Sequence, residues 1–429
     1  MRKLFPIRFH TVPLEHHSNF RNLYFDIGWY GVLNGSTIAF LSIYAARMGA
    51  TTGQLGIISA APAIISLFVA LPAGAWLKLQ STKKAVLWSV IGFRSFYIAL
   101  ILLPILSDVI SPSAQVQLIT LLIFIMSIPG TALSISFNAF FSEAVPDQWR
   151  GLVLGIRNAI QAVTTTVTAL FCGWLLNTIP FPNGYPYVFA IGLLGAVMSS
   201  VHLFLIRIKT PMRMNDKVED KNNQTSSKTE LKNRINIIVQ TIKKQIRFDI
   251  FRGQFGLTLI LLFFFHIAQY LPTPIFPVYS VRVLKLNDQV ISMGTAFFNL
   301  AVFLGSTQFP RLIRKYRTNV LTGSGLMILA VFPILLSLAK GAPLYLFANI
   351  IGGLGWSVCV SSIFTYLLES IPDSDKSAHL AWYSLAINAA ILIGSLGGPL
   401  VGNWIGLKPV LLLYALIRFG VGFTIARKG

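Results

Sequence analysis

Along the chain, long apolar stretches alternate with short polar punctuation. Twelve stretches stand out, at 22–46, 53–77, 85–107, 116–142, 152–179, 187–208, 256–280, 288–310, 320–339, 343–369, 378–404 and 409–427. Each holds the roughly 20 mostly apolar residues that a helix needs to cross a bilayer. Their connections are short except one, 209–255, which is polar and charged and divides the runs six and six. The pattern predicts an all-α polytopic membrane protein with 12 transmembrane helices in two six-helix bundles. The first bundle is 1–208, the linker 209–255 and the second bundle 256–429. Before residue 22 the chain is polar and basic, with no apolar stretch to act as a cleavable signal.

Some of the punctuation is written twice. "SEAVPDQWRG" contains Glu143, Pro146, Asp147 and Arg150, and "LESIPDSDKS" contains Glu369, Pro372, Asp373 and Lys376. Both are E-x-x-P-D-x-x-[R/K], and each stands between the fourth and fifth runs of its half. The proline disfavours a helical residue before it and so stops the helix. Each glutamate then sits at a helix C-terminus, where the dipole favours cations. A basic partner is expected from Arg150 or the Lys83–Lys84 loop in the first half. In the second half it is expected from Lys376 or the loop from Arg314 to Arg317. The linker also has structure: Leu231, Ile235, Ile238, Val239, Ile242 and Ile246 recur at helical spacing among Lys and Arg. That pattern reads as a basic amphipathic helix, lying on the membrane surface or docked on the protein's own face.

Composition sharpens the class. Only 11% of the 429 residues are charged and mean hydropathy is +0.68, whereas soluble domains carry about 25% charged residues. The net charge of +21 would suggest nucleic acid in a soluble protein. Its placement argues otherwise. With the termini cytoplasmic, 27 Lys and Arg fall on the cytoplasmic side and five opposite. This is the positive-inside pattern of a cell-membrane protein. The charge sets orientation and attracts anionic lipid at that face, and no nucleic-acid partner is expected. Cys172 and Cys359 read as small core residues. No nucleotide-binding loop, metal-ligand cluster or nucleophile motif is present, so no cofactor or metal is expected.

Two sets of six spans, a long central loop and a repeated loop after spans 4 and 10 resemble the major facilitator superfamily. The E-x-x-P-D-x-x-[R/K] loops match the acidic-proline-basic signature that members carry there. In the loop between helices 2 and 3, "GAWLKLQSTKKAV", Gly74, Lys83 and Lys84 fit the family pattern, while Lys78 stands where the family has Asp. The resemblance implies two bundles rocking around a site near the membrane midplane, lined by helices 1, 4, 7 and 10.

Polar stripes lie on those four helices. Span 1 carries Asp26, Tyr30, Asn34 and Thr37; span 4 carries Ser127, Thr131, Ser134 and Asn138. Span 7 carries His266, Gln269, Tyr270 and Thr273, with Pro272, Pro274 and Pro277 breaking its outer half; span 10 carries Asn349 and Trp356. Each set shares one helix face. Such faces must meet protein or water, as a cavity lining or as helix–helix packing. Asp26 reads as a proton carrier or an ion-pair partner, and His266 as a hydrogen-bonded core histidine or a titrating group. Arg157 heads a stripe with Gln161 and either holds an anionic group or snorkels to the edge. Arg94 and Arg418 read as structural.

The expected function is a monomeric, non-enzymatic secondary transporter with alternating access. It would move a neutral, amphipathic or anionic small solute, with proton coupling through Asp26 or His266 in view and efflux favoured over uptake. A polytopic membrane enzyme and a non-transporting receptor on the same fold stay open. Lys83, Lys84, Glu143, Arg150, Arg314, Glu369 and Lys376 are the expected cytoplasmic gate.

Overall fold

The structure, a computed structural model, describes residues 14–208, 248–251, 253–372 and 376–429. Among them there is no strand. Twelve helical units match the twelve apolar runs. The first half holds α1 (Leu14–Leu33, continuing through Asn34–Ile38 and Ala39–Arg47), α2 (Thr52–Leu79) and α3 (Thr82–Arg94 and Phe96–Ile105). It continues with α4 (Pro112–Ala144), α5 (Asp147–Thr178) and α6 (Tyr185–Leu205). The second half holds α7 (Gln254–Tyr270, Ile275–Val278 and Tyr279–Val283), α8 (Asp288–Lys315) and α9 (Thr318–Leu338). It ends with α10 (Ala342–Glu369), α11 (Lys376–Ile405) and α12 (Leu407–Lys428). Eleven of these are long and apolar enough to cross a membrane. The exception is α1, where Asn22, Asp26 and Asn34 interrupt the apolar run. It starts eight residues before the expected position. The linker helix expected over Leu231–Ile246 lies outside the described residues, as do Asp373 and the side chain of Lys376.

Local chemistry sets the helix ends. Thr51 and Gln54 form a reciprocal capping box at the start of α2. Ser111 caps α4 ahead of Pro112, and Asn287 caps α8 through the Val290 N–H. Gly49, at φ +96°, supplies the left-handed turn after α1. In α7 the break falls at Leu271–Pro274, where Pro272 and Pro274 can donate no helical hydrogen bond. A π-type turn occurs in both α1 and α7.

The two halves repeat one packing scheme. α1 lies on α5 as α7 lies on α11; α2 lies on α4 as α8 lies on α10; α3 lies on α4 as α9 lies on α10. The halves meet through the matching pairs α5–α8 and α2–α11. With an even number of crossings both termini lie at one end of the bundle, here called the terminal end; the other is the distal end. Core packing differs between them. At the distal end one continuous core joins the halves, bringing Phe40, Tyr44 and Tyr185 together with Ile275, Tyr279 and Tyr414. At the terminal end the core is split. Phe20, Leu23, Phe140 and Val153 serve the first half, and Phe255, Leu262, Ile363 and Leu367 the second. Large apolar side chains such as Phe68, Trp88, Phe364 and Trp404 face outward, a perimeter suited to lipid.

Candidate functional site

Small residues bring α1 onto α5. A Cβ on Gly31 would stand 1.9 Å from Thr164 Oγ1, and one on Gly35 2.3 Å from the Thr165 carbonyl. This closeness sets Asp26 beside Arg157, with Arg157 Nη1 3.1 Å from Asp26 Oδ2. Both side chains are buried. Arg157 also donates to the Leu23 carbonyl at 2.6 Å, and its guanidinium lies 5.2 Å from the centre of the Phe137 ring. The other carboxylate oxygen of Asp26 accepts from the Ser199 hydroxyl. That hydroxyl in turn accepts from Arg94 Nη2 at 2.8 Å. Arg94 Nη1 donates to Ser200 Oγ at 2.7 Å and to the Ala196 carbonyl at 2.8 Å. Arg94–Ser199–Asp26–Arg157 is thus one chain of contacts holding two guanidiniums and one carboxylate. Arg157 lies ten residues into α5, about 15 Å from that helix's start at roughly 1.5 Å per residue.

Two adjoining cavities open beside this chain. The narrower, about 320 Å³, is lined by Asp26, Tyr30, Arg94, Phe137 and Arg157 among others. The wider, about 540 Å³, lies between the halves. It is lined by Ser59 and Ser66 of α2, Ser127, Thr131 and Ser134 of α4, Tyr270 of α7, and Ser384 and Asn388 of α11. Phe93, Gly130 and Ser134 belong to both linings, so the cavities are contiguous.

Of the residues singled out in sequence, Asp26, Tyr30 and Arg157 come together here. Neither lining includes Asn34, Asn138, Gln161, His266, Gln269, Asn349 or Trp356. Asn34 opens the π turn of α1, Asn138 is exposed on α4, and Gln161 sits one turn beyond Arg157. His266 lies 3.2 Å from the Tyr383 hydroxyl. Gln269 Oε1 is buried and has no hydrogen-bond partner. Asn349 bonds the Tyr345 carbonyl at 2.9 Å and packs against Gly294, inside the second half. Trp356 packs on that half's terminal core. No α10 residue lines either cavity; α2, α3 and α11 contribute instead. The signal was available: Ser59, Ala63, Ser66 and Ala70, and likewise Ser384, Asn388 and Ile391, recur at helical spacing.

Arg418 of α12 is fully buried and meets only carbonyl oxygens among its hydrogen-bond acceptors. It donates to Ala268 at 3.1 Å, Gln269 at 3.1 Å and Leu329 at 3.2 Å. Ala268 stands four residues before Pro272 and Leu329 four before Pro333, so both carbonyls have lost their helical donor to a proline. The structural reading of Arg418 thereby gains a specific cause.

At the terminal end the repeated loops differ from the expected basic pairing. Glu143 accepts from Thr82 Oγ1 at 2.8 Å, and Glu369 accepts from the Thr318 hydroxyl. Thr82 and Thr318 are the first residues of α3 and α9. Each glutamate therefore rests on a helix N-terminus, whose positive dipole end favours a carboxylate. Lys83 instead donates to the Ile206 carbonyl at 2.8 Å, and Arg150 pairs with Asp147 at 2.6 Å. Lys84 and Arg314 are exposed at the same end. Among the described residues no basic side chain pairs with either glutamate.

The inter-half hydrogen bonds between described residues are distal. Arg47 at the end of α1 pairs with Asp288 at 2.8 Å and donates to the Leu286 carbonyl at 3.0 Å. Arg282 at the end of α7 donates to the carbonyls of Ala50 at 2.6 Å and Ala46 at 3.3 Å. Thr52–Asn403 and Asn287–Asn177 add two more. In the sequence the two arginines count only among the five basic residues opposite the termini, although Tyr44-x-x-Arg47 and Tyr279-x-x-Arg282 repeat one motif at matching helix ends.

The chain resembles solved transporters over nearly its whole length. A bacterial homologue of the iron transporter ferroportin in an inward-facing state is 15% identical, at TM-score 0.69, covering 97% of this chain and 100% of its own. A POT family transporter in complex with a thioalcohol-conjugated peptide is 12% identical at TM-score 0.69, covering 95% of each chain. The nucleoside transporter NupG is 14% identical at TM-score 0.62, covering 95% of this chain and 98% of its own. At such identities the likeness concerns the fold. No curated protein matches the sequence. The Major Facilitator Superfamily model matches residues 29–395, most of the chain, and with the twelve-helix fold this places the protein in that superfamily.

Proposed function

We propose that the protein is a secondary active transporter that carries a small solute across a cell membrane by alternating access, with its terminal end cytoplasmic. The carrying observation is the asymmetry of the seam: one shared core and every described inter-half hydrogen bond at the distal end, two separate cores at the terminal end. That is the shape of a carrier open to the side of its termini. The basic excess on that side supports the cytoplasmic orientation. Asp26 is the one carboxylate in either cavity lining among the described residues, and it is our candidate for proton coupling. Protonating it would release Arg157 from its partner.

Paired spin labels test the motion. One pair sits at the terminal end on Gln148→Cys and Tyr316→Cys, the other at the distal end on Asp108→Cys and Lys340→Cys, with Cys172 and Cys359 replaced. A transported solute should shorten the first distance and lengthen the second in a fraction of molecules. Solute flux in proteoliposomes with both distances fixed would overturn alternating access. Asp26→Asn should abolish proton-driven accumulation while solute exchange survives. Unchanged accumulation would remove Asp26 from the coupling role.

A further inference from the structure

The two cavities differ in chemistry, one charged and one neutral and polar. In the narrow one the charged groups are Arg94, Arg157 and Asp26, so with all three ionised it holds one uncompensated positive charge. An unpaired cation in a low-dielectric interior is costly, and a bound anion relieves it. Arg94 is only 7% exposed, yet its Nε has no hydrogen-bond partner. That buried, unsatisfied donor adds to the cost of the charge.

The wide cavity carries no charge in its lining, and two of its hydroxyls have already committed their hydrogens. Ser127 donates to the Ile123 carbonyl at 2.5 Å, and Thr131 donates to the Ser127 carbonyl at 2.9 Å. Asn388 donates through Nδ2 to the Ser384 carbonyl at 2.8 Å. Ser127 and Thr131 keep hydroxyl lone pairs, Asn388 keeps Oδ1 and its second Nδ2 hydrogen, and Ser59, Ser66, Ser134, Ser384 and Tyr270 add hydroxyls to a neutral, acceptor-rich lining. Acceptors recognise donors, and a solute's most compact neutral donors are hydroxyl groups. The combined space falls within the range of small-molecule sites, roughly 300–1,000 Å³.

From this division we infer that the solute is a polyhydroxylated organic monoanion. Its carboxylate or similar anionic group is held by Arg157 and Arg94, and its hydroxyls lie against Ser127, Thr131 and Asn388. The inference rests on the cavities being the solute site. It excludes cationic amphiphiles, which would meet the uncompensated guanidinium charge, and purely apolar anions, which would leave the acceptors of the wide cavity unpaired.

The full chain in nanodiscs is titrated with four probes, with binding read by calorimetry: gluconate, sorbitol, hexanoate and glucosamine. Gluconate should bind at least about tenfold more tightly than either sorbitol or hexanoate, since a charge-assisted pair and a set of neutral hydrogen bonds each contribute on that scale. Glucosamine should bind more weakly than sorbitol. Arg157→Gln, which leaves Arg94 and Asp26 as a balanced pair, should bring gluconate down to the affinity of sorbitol. Asn388→Leu should weaken gluconate and sorbitol alike and leave hexanoate unchanged. Arg94→Lys, which keeps the charge, guards against loss of fold and should retain part of the preference. Gluconate binding no tighter than sorbitol or hexanoate, or glucosamine binding best, would overturn the assignment. These measurements read binding and need no flux. Failure of the transport reading would appear separately, as tight gluconate binding without gluconate movement in proteoliposomes.

Discussion

Arg418 shows how a single side chain can make a proline-broken membrane helix tolerable. In lipid, a carbonyl without a donor has no water to turn to. Pro272 and Pro333 each strand one such carbonyl, at Ala268 and Leu329, and the guanidinium of Arg418 reaches both. Each hydrogen bond from a charged donor contributes about 1.5–3 kcal/mol. Arg418→Ala is therefore expected to destabilise the second half, and Arg418→Lys, with no planar fork, to recover only part of the loss. The specific claim concerns coupling. Pro333→Ala returns a helical N–H to the Leu329 carbonyl, so Arg418→Ala should cost about 1 kcal/mol less in that background. Denaturation in detergent measures all four members of the cycle. Strictly additive effects would mean that the arginine serves some need other than the stranded carbonyls. The same residue marks a limit of sequence reading. The charge at mid-helix is visible, but its acceptors lie 89 and 150 positions away, on helices whose adjacency no local pattern records.

Between helices, the distal seam depends on two glycines at which backbones nearly touch. A Cβ at Gly56 of α2 would stand 2.4 Å from the Ser395 carbonyl of α11, and one at Gly173 of α5 1.8 Å from Ser292 Oγ of α8. The carbonyl cannot rotate aside as a hydroxyl can. Gly56→Val should therefore hold α2 and α11 apart at the distal end. Overpacking of this kind costs about 1–3 kcal/mol, a shift of roughly fivefold to 150-fold between the proposed open and closed forms. Ser59→Cys, one turn deeper, should then react with an impermeant thiol reagent from the distal side; unchanged labelling in a folded protein would show that the seam does not need this contact. Element by element, the apolar runs predicted nearly every helix because length and hydropathy suffice for that. The break in α7 was equally legible in Pro272 and Pro274. The cavity lining was harder. Family resemblance pointed to α10, whereas Asn349 and Trp356 pack inside the second half and the Ser and Asn faces of α2 and α11 line the opening. A polar stripe tells that a helix face avoids lipid. Whether the face meets a neighbour or a cavity depends on inter-helix distance, which periodicity does not contain.

At the scale of the whole molecule, the two halves clasp each other reciprocally, and the clasp is unequal. α1 and α7 both end in Tyr-x-x-Arg, and each arginine reaches across to the turn after the other half's first helix. Arg47 finds a carboxylate there, Asp288, the first residue of α8. Arg282 finds only carbonyls, because the first residue of α2 is Thr52. The Arg47–Asp288 pair is mostly shielded, at 21% and 7% side-chain exposure, so removing one partner strands the other. Arg47→Ala is accordingly expected to loosen the distal end more than Arg282→Ala, seen as a larger lengthening between spin labels at Asp108→Cys and Lys340→Cys. The inequality also predicts a gain. Thr52→Asp would place the missing carboxylate at a helix N-terminus, where the dipole favours it, within reach of Arg282. The distal end should then close more firmly, the terminal-open population should grow, and transport should slow because the return step must break two ion pairs instead of one. Arg282→Ala in the same background should restore the original distance distribution and rate. If Arg47→Ala and Thr52→Asp both leave the distal distances and the transport rate unchanged, the arginine clasp does not set the balance between the two forms, and the shared apolar core alone would have to hold the halves together.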